Sequence, residues 1–228
     1  MSFPVARTLF HSVAVSVMIY GYKSLHTMSI DEWIRSQYGG HFQYLTIQGL
    51  FIAGATMATS VLLDLFPSSR NLKVLKRAIF VIAMPLAAVI SCVYWSLLLL
   101  DPSMILQEGK PLSDDPLVNE SLEKLVFVRL PVSVDLALHL SPALSLLVDF
   151  FIFEERYKPG EVKYSAPGIT LAYTVLYGLW VEHCAKHNNG LYPYPFLTLN
   201  PLSIRVAIYA AAGTFAYLSF TILNRLHK

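Results

Sequence analysis

An aspartate and a histidine four residues apart inside an apolar run, Asp135 and His139, have the types and spacing that most directly suggest chemistry in this chain. On a helix this spacing sets both on one face with Cβ atoms about 5–6 Å apart, so the carboxylate can accept an imidazole N–H and orient a general base. Ionisable groups within a membrane span are costly unless paired or solvated, which makes each a functional hypothesis. The plain alternative is a polar contact in which the two only satisfy one another. A histidine base needs a nucleophile, and hydroxyl or thiol groups are the usual partners in acyl chemistry. Thr46 is the candidate, because it opens another apolar run expected to cross in the same direction as the run holding His139. Thr46 lies about five residues into its helix and His139 about ten, a depth difference near 8 Å that tilt can absorb. Gln43, one turn earlier, can donate to an oxyanion or cap backbone groups. Alone, Thr46 would be ordinary, since membrane threonines commonly bond their own backbone.

Glu182, His183 and His187 form a second polar group. His-x-x-x-His can bind a metal on one helix face, but two histidines do not fix a catalytic zinc unless Glu182 or a distant residue joins them. Solvated or hydrogen-bonded histidines are the simpler reading. His11, His26, His41 and His227 have no evident partners in the sequence. Cys92 and Cys184 fall in or beside apolar runs with no C-x-x-C pair, so they read as packing residues. The run Tyr192-Pro-Tyr-Pro-Phe resists both helix and strand. It predicts a rigid aromatic turn capping the bundle, or equally an interfacial aromatic belt.

The elements that must position these groups follow from composition. The charged fraction is 14%, the hydrophobic fraction 55% and the mean hydropathy +0.52. Soluble domains carry about a quarter charged residues, so the bilayer is the natural solvent for this chain. Net charge is only +2 and the basic residues sit in short clusters between apolar runs, which argues against a nucleic-acid partner. The expected fold is an all-α integral membrane protein of about six transmembrane helices in one bundle, a single polytopic domain over 1–228. The spans are predicted at residues 4–22, 42–66, 78–100, 125–153, 166–182 and 202–223. Arg129, Asp135, His139 and Asp149 interrupt the fourth, and Pro131 and Pro142 can bend it. The first span follows Arg7 and could pass for a signal peptide, but it lacks a small-x-small cleavage site and reads as a retained helix. Ten Lys and Arg residues fall on one predicted side, in the segments around Arg7, Arg70–Arg77, Arg156–Lys163 and Arg225–Lys228, and seven on the other. The positive-inside tendency then sets both termini in the cytoplasm. The sequon Asn119-Glu-Ser falls in the non-cytoplasmic third loop.

Several short pieces, in order and spacing, resemble the androgen-induced protein family, which includes the androgen-dependent TFPI-regulating protein. They are Tyr38-Gly-Gly with Tyr44-Leu-Thr46, Tyr94-Trp95 with Asp101 and Met104-Ile105, the histidine in Asp135-Leu-Ala-Leu-His139, and Trp180-Val with Gly190 and Tyr194-Pro-Phe-Leu. The resemblance implies a membrane threonine hydrolase of fatty acid esters of hydroxy fatty acids, with its essential threonine at Thr46 and its essential histidine at His139. Asp135 stands where animal members carry asparagine, so its role rests on spacing alone. Arg129 and the acidic third loop are further departures, and they bear on substrate range.

The primary expectation is therefore an intramembrane ester hydrolase using Thr46 and His139, supported by Asp135 and Gln43, with a lipid ester as substrate, no cofactor and no metal. A non-enzymatic lipid-binding, transport or scaffold protein is the alternative, and a metal-dependent hydrolase built on His183 and His187 is a weaker third. Endoplasmic reticulum residence is the default for such a chain, and its oligomeric state is left open.

Overall fold

Backbone N–H and C=O groups in hydrocarbon must be satisfied within the segment, which favours helices. The computed structural model describes residues 3–106 and 129–227, and among these every regular element is helical. The elements are α1 (Phe3–Leu25), α2 (Asp31–Ser36), α3 (Leu45–Leu65), α4 (Arg70–Leu100), α5 (Val132–His139), α6 (Ser141–Ile152), α7 (Ala166–His187), α8 (Pro195–Thr198) and α9 (Leu202–Leu226). A 3-10 turn, Gly40–Gln43, leads into α3. The sequon at Asn119 and the expected beginning of the fourth span at Leu125 lie outside the described residues.

Three helices, α3, α4 and α9, are long and apolar enough to cross a membrane, and α5 with α6 makes up to a fourth. The first and fifth expected spans appear as α1 and α7, of 23 and 22 residues. Both carry more polar groups, including Arg7, His11 and Lys23 in α1 and Glu182, His183 and Lys186 in α7. The all-α membrane architecture expected from composition is what the chain forms.

The fourth expected span is not one helix. It breaks after His139, and α5 and α6 meet at an angle of 42°. Pro142 in the first turn of α6 explains the break, since it offers no N–H to the preceding turn and its ring crowds the carbonyl four residues back. Arg129 lies ahead of α5 and is exposed, not inside a span. The break leaves His139 as the last residue of α5.

The core forms where α1, α3, α4, α5 and α6 converge, with Met57, Phe80, Leu146 and Phe150 wholly buried. At Gly49 an added Cβ would meet Ile90 Cδ1, so the Ile90 side chain packs directly against the α3 backbone there.

One end of the bundle is tied by buried charges that the sequence left unpartnered. His11, 1% exposed, lies 2.7 Å from Asp64 through Nδ1 and 2.9 Å from Asp149 through Nε2. Lys76 Nζ donates to Asp149 at 2.9 Å and is 3.3 Å from Glu154, which also pairs with Arg77 at 3.0 Å. His227 Nε2 lies 2.8 Å from the Phe150 carbonyl. These contacts link α1, α3, α4, α6 and the end of α9, and they bring Lys76 and Arg77 into one network.

Candidate functional site

Thr46 is the second residue of α3, where backbone N–H groups have no partner within the helix. The chain reaches it through Gly39 and Gly40, with φ of 86° and 47°. Such values are cheap only for glycine. A side chain at Gly39 would also meet Cys184 Sγ, whose distance from the added Cβ would be 2.7 Å. The Thr46 N–H donates to the Tyr194 hydroxyl at 3.4 Å.

Tyr194 belongs to the Tyr192-Pro-Tyr-Pro turn, which folds back over the bundle and starts α8. Its anchor is Glu182. That carboxylate accepts from Arg205 at 2.7 and 2.8 Å, from Tyr192 at 2.7 Å and from Tyr209 at 3.0 Å. Burial and the Glu182 carboxylate push the Tyr192 hydroxyl up to about 12, so it stays a donor at neutral pH. Three contacts then stitch α7 to the start of α3. Tyr177 donates to the Gln43 carbonyl at 3.2 Å, Tyr173 to Gln48 Oε1 at 2.9 Å and Trp180 to the Phe42 carbonyl at 3.0 Å.

Between α4, α7 and α9 lies a cavity of about 630 Å³, with Thr46, Tyr194 and Phe196 in its lining. Its wall is mostly aliphatic, from residues such as Pro85, Leu86, Val89, Ile169 and Ala212, with Thr46, Tyr94, Tyr173, Tyr177 and Tyr209 also in the lining. A mostly apolar volume of this size with a few converging polar groups has the character of a small-molecule site.

His139 and Asp135 stand behind that wall. Asp135 Oδ1 is 2.7 Å from His139 Nδ1, and the two side chains are 12% and 6% exposed. The Tyr94 ring lies flat on the imidazole, with centroids 3.4 Å apart and planes within 3°. Tyr94 also lines the cavity, and its hydroxyl interacts with Asp135. Because Nδ1 is engaged by the carboxylate, Nε2 is the nitrogen available for proton transfer.

The chain thus brings Asp135 to His139 and sets Thr46 on the cavity, but no hydrogen bond joins Thr46 to His139. Gln43 is fully buried, and its amide donates to Gln37 Oε1 at 2.6 Å, away from Thr46. The polar group beside Thr46 is Tyr194 instead. Sequence reasoning gave no role to Tyr94, Tyr173 or Tyr177; of these only Tyr94 carried a signal, as part of the Tyr94-Trp95 piece of the resemblance.

The second polar group is divided by the fold. Glu182 is taken up by Arg205 and the tyrosines, whereas His183 Nε2 lies 3.2 Å from the Tyr38 hydroxyl and His187 Nδ1 lies 2.9 Å from the His183 carbonyl. The Tyr38 ring stacks on His187 at 4.5 Å. Two other histidines gain a partner instead. Asp31 Oδ1 lies 3.1 Å from His26 Nδ1 and 2.6 Å from His41 Nε2. Burial works to raise the Asp31 pKa, but the hydrogen bonds from His41 and His26 outweigh it and hold the carboxyl below its ordinary value.

Comparison with known proteins agrees with this membrane architecture. A UPF0641 membrane protein of Schizosaccharomyces pombe is 28% identical over 237 residues, covering 100% of this chain and 95% of the relative. A UPF0641 membrane protein of Saccharomyces cerevisiae is 28% identical over 197 residues, covering 79% of this chain and 75% of the relative. No solved structure matches the chain. The model of the FAR-17a/AIG1-like proteins matches residues 6–228, so the chain, with its helical membrane architecture, belongs to the FAR-17a/AIG1-like protein family.

Proposed function

We propose that this protein is an intramembrane hydrolase that cleaves fatty acid esters of hydroxy fatty acids, with Thr46 as nucleophile and His139 as general base. The observation that carries the reading is the double contact of Tyr94, which covers the His139 ring and lines the cavity whose wall holds Thr46. A branched lipid ester suits such a space, because its acyl chains can lie along aliphatic walls while only the ester meets hydroxyl groups.

In the proposed reaction, His139 Nε2 takes the proton from Thr46 Oγ1 as that oxygen bonds to the ester carbonyl carbon. The tetrahedral intermediate collapses by breaking the carbonyl carbon bond to the alkoxy oxygen. The hydroxy fatty acid leaves with the proton returned by His139. Water, deprotonated by the same imidazole, then releases the acid from acyl-Thr46. Negative charge on the carbonyl oxygen would be met by the Tyr194 hydroxyl, which accepts from the Thr46 N–H and can donate its own hydrogen, at the positive end of the α3 dipole. Asp135 keeps the imidazole in the productive tautomer. The reaction requires Tyr94 to shift so that Nε2 comes within about 3 Å of Oγ1.

A second reading has one observation in its favour. Thr46 and His139 are not joined, so the same cavity serves equally for a lipid-binding, transport or scaffold protein that never turns its ligand over. Under either reading we place both termini in the cytoplasm, from the distribution of Lys and Arg, and the protein in the endoplasmic reticulum.

Release of free fatty acid from a fatty acid ester of a hydroxy fatty acid by detergent-purified protein separates these readings. The hydrolase reading expects turnover by the wild type and its loss in both Thr46→Ala and His139→Ala. Full activity in either folded variant overturns the assignment, and no turnover of several lipid esters by folded wild type favours lipid binding.

A further inference from the structure

His26, Asp31 and His41 lie outside the cavity lining and take no part in the proposed hydrolysis. We propose that these three side chains form a binding site for a divalent transition-metal ion of the zinc class, held through His26 Nδ1, an oxygen of Asp31 and His41 Nε2.

One ligand atom of each residue lies within 4.8 Å of the others. Two of the three separations are shorter, at 3.1 Å and 2.6 Å from Asp31 Oδ1 to the two imidazole nitrogens. Zinc–nitrogen and zinc–oxygen distances of about 2.0–2.2 Å in a tetrahedron set ligand atoms roughly 3.3 Å apart. Insertion of an ion therefore needs side-chain adjustments and no rearrangement of the fold. The two rings stand at 88° with centroids 5.5 Å apart, so they converge on the carboxylate without stacking. Two imidazoles, a carboxylate and one open position form a donor set suited to zinc.

Exposure is distributed as such a site needs. The side chains of His41 and Asp31 are 7% and 9% exposed, whereas that of His26 is 39% exposed and leaves a path for the ion and for a water as fourth ligand. Arg35 approaches the other carboxylate oxygen, Oδ2, at 3.7 Å, and its side chain is largely solvated, so Oδ1 stays open to the ion. Without an ion, both facing nitrogens must carry hydrogen and donate to one oxygen. An ion accepts all three lone pairs at once and leaves each imidazole neutral, with its proton on the other nitrogen.

The backbone already holds the ligands together. The turn after α1 is closed by the Asp31 N–H donating to the Met28 carbonyl at 3.0 Å, and the left-handed Gly39 and Gly40 return the chain so that His41 faces Asp31. A bound ion would link the end of α1, the start of α2 and the turn before α3, five residues ahead of Thr46. The proposal stands independently of whether Thr46 is a nucleophile.

The test uses full-length protein in detergent, stripped with a chelator and titrated with zinc chloride in competition with a chromophoric chelator. One equivalent of zinc is expected, weakened about 30-fold or more in His41→Ala and about 10-fold or more in His26→Ala, as loss of a direct ligand should do. The double variant His183→Ala, His187→Ala should bind within about 3-fold of wild type. Wild-type protein loaded with cobalt should give the visible bands of a four-coordinate ion with nitrogen and oxygen donors, a result that does not depend on any variant folding. Absence of a stoichiometric site at about 100 μM zinc, equal affinity in a folded His41→Ala, or a cobalt spectrum of the six-coordinate hydrate alone would each overturn the proposal.

Discussion

Replacing Asp135 by asparagine keeps the side-chain volume and removes one charge from beside His139. The Oδ1 to Nδ1 distance is 2.7 Å, and the two side chains are 12% and 6% exposed, so little water can take over the lost bond. A hydrogen bond to a charged group contributes about 1.5–3 kcal/mol net. If His139 takes the Thr46 proton, the imidazole is positive only along the reaction, and the carboxylate acts on the barrier more than on substrate binding. At about 1.4 kcal/mol per decade the loss is roughly 10–150-fold in kcat. The assay is initial-rate release of fatty acid across substrate concentrations, with the unfolding temperature followed in parallel. We expect kcat to fall at least about 10-fold while KM moves little, because Asp135 does not line the cavity that would hold the acyl chains. A folded Asp135→Asn protein with kcat within about 3-fold of wild type would refute the orienting role and reduce the pair to a structural contact.

Two further expectations concern stability. Asp149 is fully buried and accepts from both His11 and Lys76 at 2.9 Å. Asp149→Ala should therefore cost about 3–5 kcal/mol, the usual penalty for leaving a buried partner charge uncompensated. At roughly 2–4 °C per kcal/mol for this chain length, the unfolding temperature should fall by about 6–20 °C. It can be read from labelling of the buried Cys184 thiol in a Cys92→Ala background; a fall under about 3 °C would contradict the role given to the network. The second concerns acid. Hydrogen bonds from His41 and His26 hold the folded Asp31 carboxyl below its reference value of 3.8. Its stabilisation is present above that reference value and is lost as pH falls through the lower folded value. In chelator-stripped protein, wild type should lose more stability than Asp31→Asn as pH is lowered below about 4, and parallel losses would contradict the assignment.

Much of the helical plan was legible because it rests on length and hydropathy, which are local. The helices Leu45–Leu65, Arg70–Leu100 and Leu202–Leu226 overlap the apolar runs expected at 42–66, 78–100 and 202–223, the second starting eight residues before its run. The fourth span shows the limit. Pro142 marked a bend in the sequence, but hydropathy along an apolar run does not separate a kink from a break, and the structure shows a break of 42°. Asp135 and His139 meet because an i, i+4 relation is fixed by one helix. His11 with Asp64 and Asp149, or Asp31 with His41, could not be paired in this way, since their partners come from separate elements or across an irregular turn.

Tyr94 marks the point where depth arguments along single helices stop being sufficient. The comparison of positions along two parallel helices placed Thr46 and His139 within reach by depth alone, whereas their lateral separation depends on what the intervening helix carries. That helix is α4, and its Tyr94 fills the place beside the imidazole with a stacked ring while exposing part of itself to the cavity. The same residue can therefore act as a wall, which suits a lipid-holding protein, or as a movable cover, which suits a hydrolase. A wall requires the ring to stay on His139 when lipid fills the cavity, and a cover requires it to leave. The stacked geometry is compatible with both, because an aromatic pair contributes only about 0.5–1.5 kcal/mol beyond its buried area. The choice between the two readings therefore rests on where the ligand places its ester.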